Sequence, residues 1–141
     1  MLALVLGFLG GKSGWAVDRS FPARPWALHQ VRRFIRDRAE EIRLHDDVTE
    51  DLVQAVSEAA ANCVRHTDTD DIKVSWRSTA ERAEVLVLDD GVFRPMPDGP
   101  RRSDSEGFGL PLIEALVDEV SIHEGTTTRP GTRVRLVKYK R

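Results

Sequence analysis

A single cysteine, Cys63, stands among 141 residues, so no disulfide can close within the chain and no metal-thiolate cluster can be built from it. That usage fits a reducing compartment, and the cytoplasm is the expected location. Net charge is equally sparse. The 21 Lys and Arg against 23 Asp and Glu leave -2, a mixed-sign surface that carries no demand for DNA or RNA. No apolar run is long enough to cross a bilayer: residues 1–11 are mostly apolar but fall well short of the roughly 20 that a spanning helix needs. The same stretch has no Lys or Arg ahead of it and no clear small-residue cleavage site after it, so it fails as a secretory signal. An extra edge strand, a flexible extension or a start codon placed too far upstream remain as readings of residues 1–16. There is no internal repeat, and the length suits one domain, residues 17–141, around one core.

What is present is a set of alternating helical and extended patterns. Residues 17–23 read as a short strand, and Pro22 and Pro25 bracket the entry to a helix with Leu28, Val31, Phe34 and Ile35 at helical spacing. Arg32, Arg33, Arg36 and Arg38 make its other face basic, either a solvated face or a partner-binding one. Asp47 followed by Glu50 predicts a second helix opened by a capping box, with Leu52, Val53, Val56, Ala59, Ala60, Cys63 and Val64 as its apolar stripe. Ile72, Val74 and Trp76 alternate as a strand, and residues 83–88 form a more continuously apolar strand expected at the centre of the sheet. Residues 90–106 are rich in Gly, Pro, Arg, Ser and Asp, the composition of a functional loop or lid. A third helix is expected from near Phe108, then two strands over residues 120–123 and 132–138 joined by a turn at Pro130-Gly131. Strands adjacent in sequence favour hairpins, so the predicted fold is α+β, a two-layer sandwich of a mostly antiparallel or mixed sheet with helices on one face.

Four places carry groups suited to chemistry. Glu58 and Asn62 lie one turn apart on the second helix, nearly opposite the centre of its apolar stripe, and are expected to point away from the core. Ala59, Ala60 and Ala61 leave little bulk between them; an amide oxygen suits Mg²⁺, and a carboxylate can accept a proton from a hydroxyl. A solvated helix face is the bland alternative. His66, without a companion ligand, reads as a structural histidine. Asp89-Asp90-Gly91 follows the central strand, where a carboxylate can accept from an exocyclic amine and a glycine lets backbone approach a flat ring; a plain turn is the alternative. Gly107-Phe108-Gly109-Leu110 opens the last helix with backbone N–H groups available to phosphate. Pro130-Gly131-Thr132 is a turn by default. The run GFLGGKS over residues 7–13 is a decoy, because a phosphate-binding loop has four residues between its first glycine and the Gly-Lys pair and only three intervene.

Taken in order, EAAANCVRH, LVLDDG, GFGLPLI and PGT resemble the boxes of the GHKL ATPase superfamily, with the loop in the expected place between the second and third. The short length and the EAxxNxxxH form are similar to the bacterial anti-sigma-factor serine kinases, over nearly the whole chain. The resemblance implies the ATP-binding fold of that superfamily, ATP and Mg²⁺ as ligands, Glu58 as general base and Asn62 as the Mg²⁺ ligand. It makes Asp89 the acceptor for the adenine amine, Gly91 the glycine beneath the base, Gly107, Gly109 and Leu110 the border of the nucleotide, and Thr132 a pocket wall acting through its hydroxyl. It further implies a cytoplasmic homodimer whose partners are a sigma factor and an anti-anti-sigma protein, with no direct contact to nucleic acid or membrane. The kinases of this group typically carry an arginine just before the glycine pair, where this chain has Ser105-Glu106. That departure keeps a second reading in view, a non-catalytic module that uses ATP to shape a protein-binding surface. A third, the catalytic domain of a sensor histidine kinase, ranks last because the residues before Val17 are too few for a two-helix phospho-acceptor region.

Overall fold

A computed structural model describes residues 17–92 and 110–140. Strand β1 (Val17–Pro22) leads through a 3-10 turn (Pro25–Ala27) into helix α1 (Leu28–Glu41). Pro25 suits the first position of that turn, where no backbone N–H is needed. Helix α1 buries Val31, Phe34, Ile35 and Ala39, the spacing of a single stripe. It ends in paired reverse bonds, Leu44 N to Ala39 O at 3.0 Å and Arg43 N to Glu40 O at 3.0 Å. The residue between, Arg43, sits at φ 55°, where glycine is usual and a β-carbon costs about 1 kcal/mol.

Helix α2 (Asp46–His66) is capped two residues earlier than the expected capping box. His45 is the cap, its Nδ1 accepting from Asp47 N at 3.3 Å, so Asp47 lies inside the first turn as a capped residue. Glu50 reaches across instead and accepts from Arg36 at 3.0 and 3.1 Å, tying α2 to α1. Arg38 pairs with Glu41 and Arg32 donates to Ser57 Oγ, so much of the basic face of α1 is spent on local pairing.

Strands β2 (Asp71–Ser78) and β3 (Arg82–Leu88), helix α3 (Leu110–Leu116) and strands β4 (Glu119–His123) and β5 (Arg133–Tyr139) complete the described chain. The five strands run in the order β1-β2-β3-β5-β4, every neighbouring pair antiparallel, with β3 at the centre as its apolar run predicts. Trp76, Val85, Leu136 and Val120 align across one face and Val74, Val87, Val134 and Ile122 beside them. Helices α1 and α2 pack on that face with Val31, Phe34, Leu52, Val56 and Ala59, which makes the α+β two-layer sandwich. Phe21 of β1 meets Phe34 edge-on at 5.9 Å, closing the layer at its edge. Lys138 of β5 donates to the Leu116 carbonyl at the end of α3 and to Asp51 of α2, so one ammonium fixes how α3 lies on α2. Among the described residues no helix is long and apolar enough to cross a membrane.

The period of two puts the odd-numbered residues of β2 on the face remote from the helices, and with them Glu84 of β3. Glu84 interrupts the apolar run of the central strand, yet it is only 1% exposed. Arg77 Nε lies 3.0 Å from it, Arg135 Nη2 2.7 Å and Arg82 Nη2 3.6 Å, and Arg135 goes on to Glu119 of β4 at 3.5 Å. The remote face is thus held by a charge network across four strands.

Candidate functional site

Asp89 leaves the C-terminal end of β3 and organises the loops around it. Its Oδ1 accepts from Gly91 N at 2.8 Å and from Thr132 N at 3.2 Å, 43 residues further on. Asp89 N donates to Thr132 O at 3.0 Å, and Gly131 N to Gly91 O at 2.8 Å. Thr132 is fully buried, and its Oγ1 accepts from Gly125 N at 3.0 Å. Asp89, Gly91, Gly125, Gly131 and Thr132 therefore form one hub.

The glycines of this hub are sterically required. Gly131 stands at φ 113°, a conformation closed to most side chains. A β-carbon on Gly125 would lie 2.2 Å from Gly91 O and 2.7 Å from Gly131 N, both backbone atoms that move only if the hub moves. One on Gly91 would meet Asp68 Oδ1 at 2.9 Å, because the chain leaving α2 passes directly beside it. Thr69 Oγ1 lies 2.8 Å from Asp90 Oδ1, and Val92 N donates to Asp68 Oδ1 at 3.4 Å. Those contacts fasten the end of α2 to the turn after β3.

One buried atom of the hub is left over. Asp89 Oδ2 has no N–H or O–H donor among the described residues, although the residue is only 9% exposed. A buried carboxylate oxygen without a strong donor costs about 1–3 kcal/mol, which makes Oδ2 the least satisfied acceptor of the hub. The thiol of Cys63 on α2 is beside the same carboxylate: burial first, and then the charge of Asp89 and a hydrogen bond to it, push the thiol well above its ordinary value and keep it protonated, so its S–H is a weak donor to that carboxylate. Cys63 thereby joins the hub to α2, one residue from Asn62.

On α2 the structure corrects one expectation. Asn62, expected to point away from the core, is not on an open face as a solvated residue would be; it is 1% exposed. Helix α3 packs on α2, and Arg65 folds back along the helix to donate to Asn62 Oδ1 at 2.6 Å. A helical wheel shows the stripe but not which side chains fold over the other face. Glu58 remains partly open, its side chain 26% exposed, with Arg65 Nη2 3.3 Å from Oε2. His66 is buried at the end of α2. Among the described residues no cluster of three His, Cys, Asp or Glu side chains is disposed to hold a metal ion.

The remaining expected positions divide. Leu110 is half-buried at the first described turn of α3. Gly107 and Gly109, the Ser105-Glu106 pair and the expected helix start at Phe108 lie outside the described residues. A depression of about 550 Å³ adjoins the hub on the side of Ser20, Lys73 and Leu88, lined also by Asp68, Asp70, Asp71, Asp89 and Asp90. Five carboxylates make it hostile to a polyphosphate, and neither Glu58 nor Asn62 lines it, so Asp89 Oδ2 and the α2 face define the site better than that depression does. Cys63, Arg65 and Gly125 are not expected at the site from sequence. Gly125 carries a signal in retrospect, a glycine heading the polar run before Pro130-Gly131, while Cys63 and Arg65 carry none beyond their place in the helix.

Comparison with known proteins follows the same outline. The model of the histidine kinase-like ATPase domain matches residues 21–138. The serine-protein kinase RsbW of Bacillus velezensis is 29% identical, over 87% of this chain and 84% of that protein. RsbW of Bacillus licheniformis is 31% identical with the same coverage, and RsbW of Listeria monocytogenes 31% identical over 87% of this chain and 86% of its own. Among solved structures, the RsbU and RsbW domains of Rv1364c from Mycobacterium tuberculosis superpose with a TM-score of 0.69 and 25% identity, over 89% of this chain. This chain spans 32% of that longer one. With a family model covering most of its length and relatives above 30% identity, the chain belongs to the histidine kinase-like ATPase domain family.

Proposed function

We propose that this chain binds Mg-ATP between α2 and the Asp89 hub and transfers the γ-phosphoryl group to a serine of an anti-anti-sigma protein, acting in the cytoplasm as a homodimeric anti-sigma factor. Residues 17–141 would be the ATP-binding domain and residues 1–16 an extension. The observation that carries the reading is Asp89 Oδ2, a buried acceptor with no N–H or O–H donor, only the weak S–H of Cys63 beside its carboxylate, next to two backbone-anchored glycines. Oδ1 takes two main-chain donors and cannot swing away, so Oδ2 is aimed. An exocyclic amine is the donor that fits, and adenine carries one where guanine carries a carbonyl. Gly91 lies under the ring in this reading, and the Thr132 hydroxyl, whose oxygen accepts from Gly125 N, keeps its own proton to donate through water to the base. Gly107 and Gly109 border the phosphates in this reading, and Leu110 belongs to the nucleotide-binding set.

Mg²⁺ fits the residues present. It takes few protein ligands when phosphates and waters supply the rest, so a three-residue cluster is not needed, and Asn62 Oδ1 would hold it. That oxygen already accepts a cationic donor at 2.6 Å, which is the chemistry expected of a cation site. Bound there, the ion would neutralise charge on the transferring phosphoryl group. Glu58, partly open to solvent one turn away, takes the serine hydroxyl proton as general base.

The test is phosphoryl transfer from γ-labelled Mg-ATP to a purified anti-anti-sigma protein from the organism that encodes the chain. Wild type should label a serine, and Glu58→Gln should do so about 100-fold more slowly at unchanged nucleotide affinity, the low end for a general base because the transition state is loose. Wild type that binds Mg-ATP and labels nothing would instead favour the non-catalytic module, the reading that Ser105-Glu106 supports in place of the usual arginine.

A further inference from the structure

The guanidinium of Arg65 sits on the two groups assigned to chemistry. Its Nη2 donates to Asn62 Oδ1 at 2.6 Å and to Glu58 Oε2 at 3.3 Å. Positions 58, 62 and 65 fall within about 60° of one another around an α-helix, so a single long side chain can span both oxygens without leaving its own helix. The two contacts differ in character. Glu58 and Arg65 are 26% and 47% exposed, the setting of a weak surface pair. Asn62 is 1% exposed, and a short charge-assisted bond to a buried amide oxygen is harder to give up. Arg65 therefore places a positive charge where the proposed site would receive Mg²⁺, and it pairs the carboxylate that would receive a proton.

We propose that Arg65 is a displaceable internal cation: it competes with Mg²⁺ for Asn62 and occupies Glu58 until the Mg-nucleotide displaces it. The inference rests on the nucleotide-binding reading of the site. Its physical basis is that one amide oxygen cannot serve both cations at full strength, so the apparent affinity for the Mg-nucleotide falls by the fraction of molecules in which Arg65 holds Asn62. A charge-assisted bond of this kind corresponds to a closed fraction large enough to weaken Mg²⁺-dependent binding about tenfold. Exchange of one cation for another also keeps the buried amide oxygen satisfied in both states, so the site pays no lasting penalty for opening.

The experiment measures ATP affinity by calorimetry across a Mg²⁺ titration, and in EDTA, for wild type, Arg65→Gln and Arg65→Lys. Arg65→Gln is expected to reach half-maximal binding at about one-tenth of the wild-type Mg²⁺ concentration, with affinity in EDTA unchanged, and Arg65→Lys to fall between. A Mg²⁺ dependence identical in all three proteins would reduce the contact to a surface pair and overturn the proposal. Weaker ATP binding by Arg65→Gln both with and without Mg²⁺ would make Arg65 a phosphate ligand and overturn it too. Absence of ATP binding by wild type at any Mg²⁺ concentration would be a failure of the nucleotide reading itself, distinct from either.

Discussion

Asp89→Asn is expected to lose ATP binding by two to three orders of magnitude while keeping its fold. The substituted amide retains an oxygen for Gly91 N and Thr132 N, so the hub can stand. Its other atom becomes an NH₂ group in the place of Oδ2, turning the proposed acceptor for the adenine amine into a second donor. The loss of one charge-assisted bond and the burial of two facing donors together cost about 3–4 kcal/mol. Thermal unfolding reads this directly. At about 100 times the wild-type dissociation constant Mg-ATP should add about 2.7 kcal/mol to the wild type, a rise on the order of 10 °C for a domain of this size. The variant should move by about 2 °C or less at the same concentration. Equal shifts in the two proteins would remove Asp89 from the site.

The largest stability effect is expected at Glu84, far from that site. Its carboxylate is buried beneath three arginines whose side chains are themselves about one-third exposed. Burial is the strongest single influence and opposes ionisation, but the hydrogen bonds and charges of Arg77 and Arg135 outweigh it and hold the carboxyl below its ordinary value. Glu84→Gln leaves three cations around a neutral amide. Removing one partner of a buried pair typically costs 3–5 kcal/mol, and the exposure of the arginines reduces that to about 2–3 kcal/mol. The pH dependence follows from the direction of the shift. A carboxyl depressed in the folded state stabilises fully above its unfolded value, near 4.5, and that stabilisation is lost as pH falls through the lower folded value. Urea unfolding at pH 7 and at pH 3 to 4 should therefore show the gap between wild type and Glu84→Gln shrinking in acid. A gap that is constant or widens in acid would mean that Glu84 acts through packing alone.

What the sequence reveals depends on how local each feature is. The central place of β3 is legible because burial on both sides leaves an apolar run, and the stripes of α1 and α2 are legible because helix period and core contact coincide. Glu84 is invisible by the same logic: a charged residue inside such a run reads as an exception until the register brings Arg77 and Arg135 alongside it from neighbouring strands. The cap of α2 is missed because histidine is not among the usual capping residues, while Asp47 and Glu50 have the right spacing for a box that the helix does not use. Asp89, Gly91 and Thr132 each read as ordinary turn residues alone. Their order along the chain suggests one site, and the bond from Thr132 N to Asp89 Oδ1 brings them to one place. Asn62 is legible as a polar group on α2 but not as a buried one, because a wheel does not show Arg65 folding back onto its amide oxygen. Cys63 looks like one more core residue, and only the approach of β3 to α2 sets its thiol beside Asp89.

The central claim is that Asp89 Oδ2 selects adenine, and calorimetric titration of the wild-type protein with Mg-ATP and then Mg-GTP tests it most directly. Adenine presents an amine to the buried oxygen and guanine a carbonyl, so the account predicts one ATP per chain and GTP weaker by about 100-fold or more. Equal affinity for the two nucleotides, or binding of neither, would contradict it.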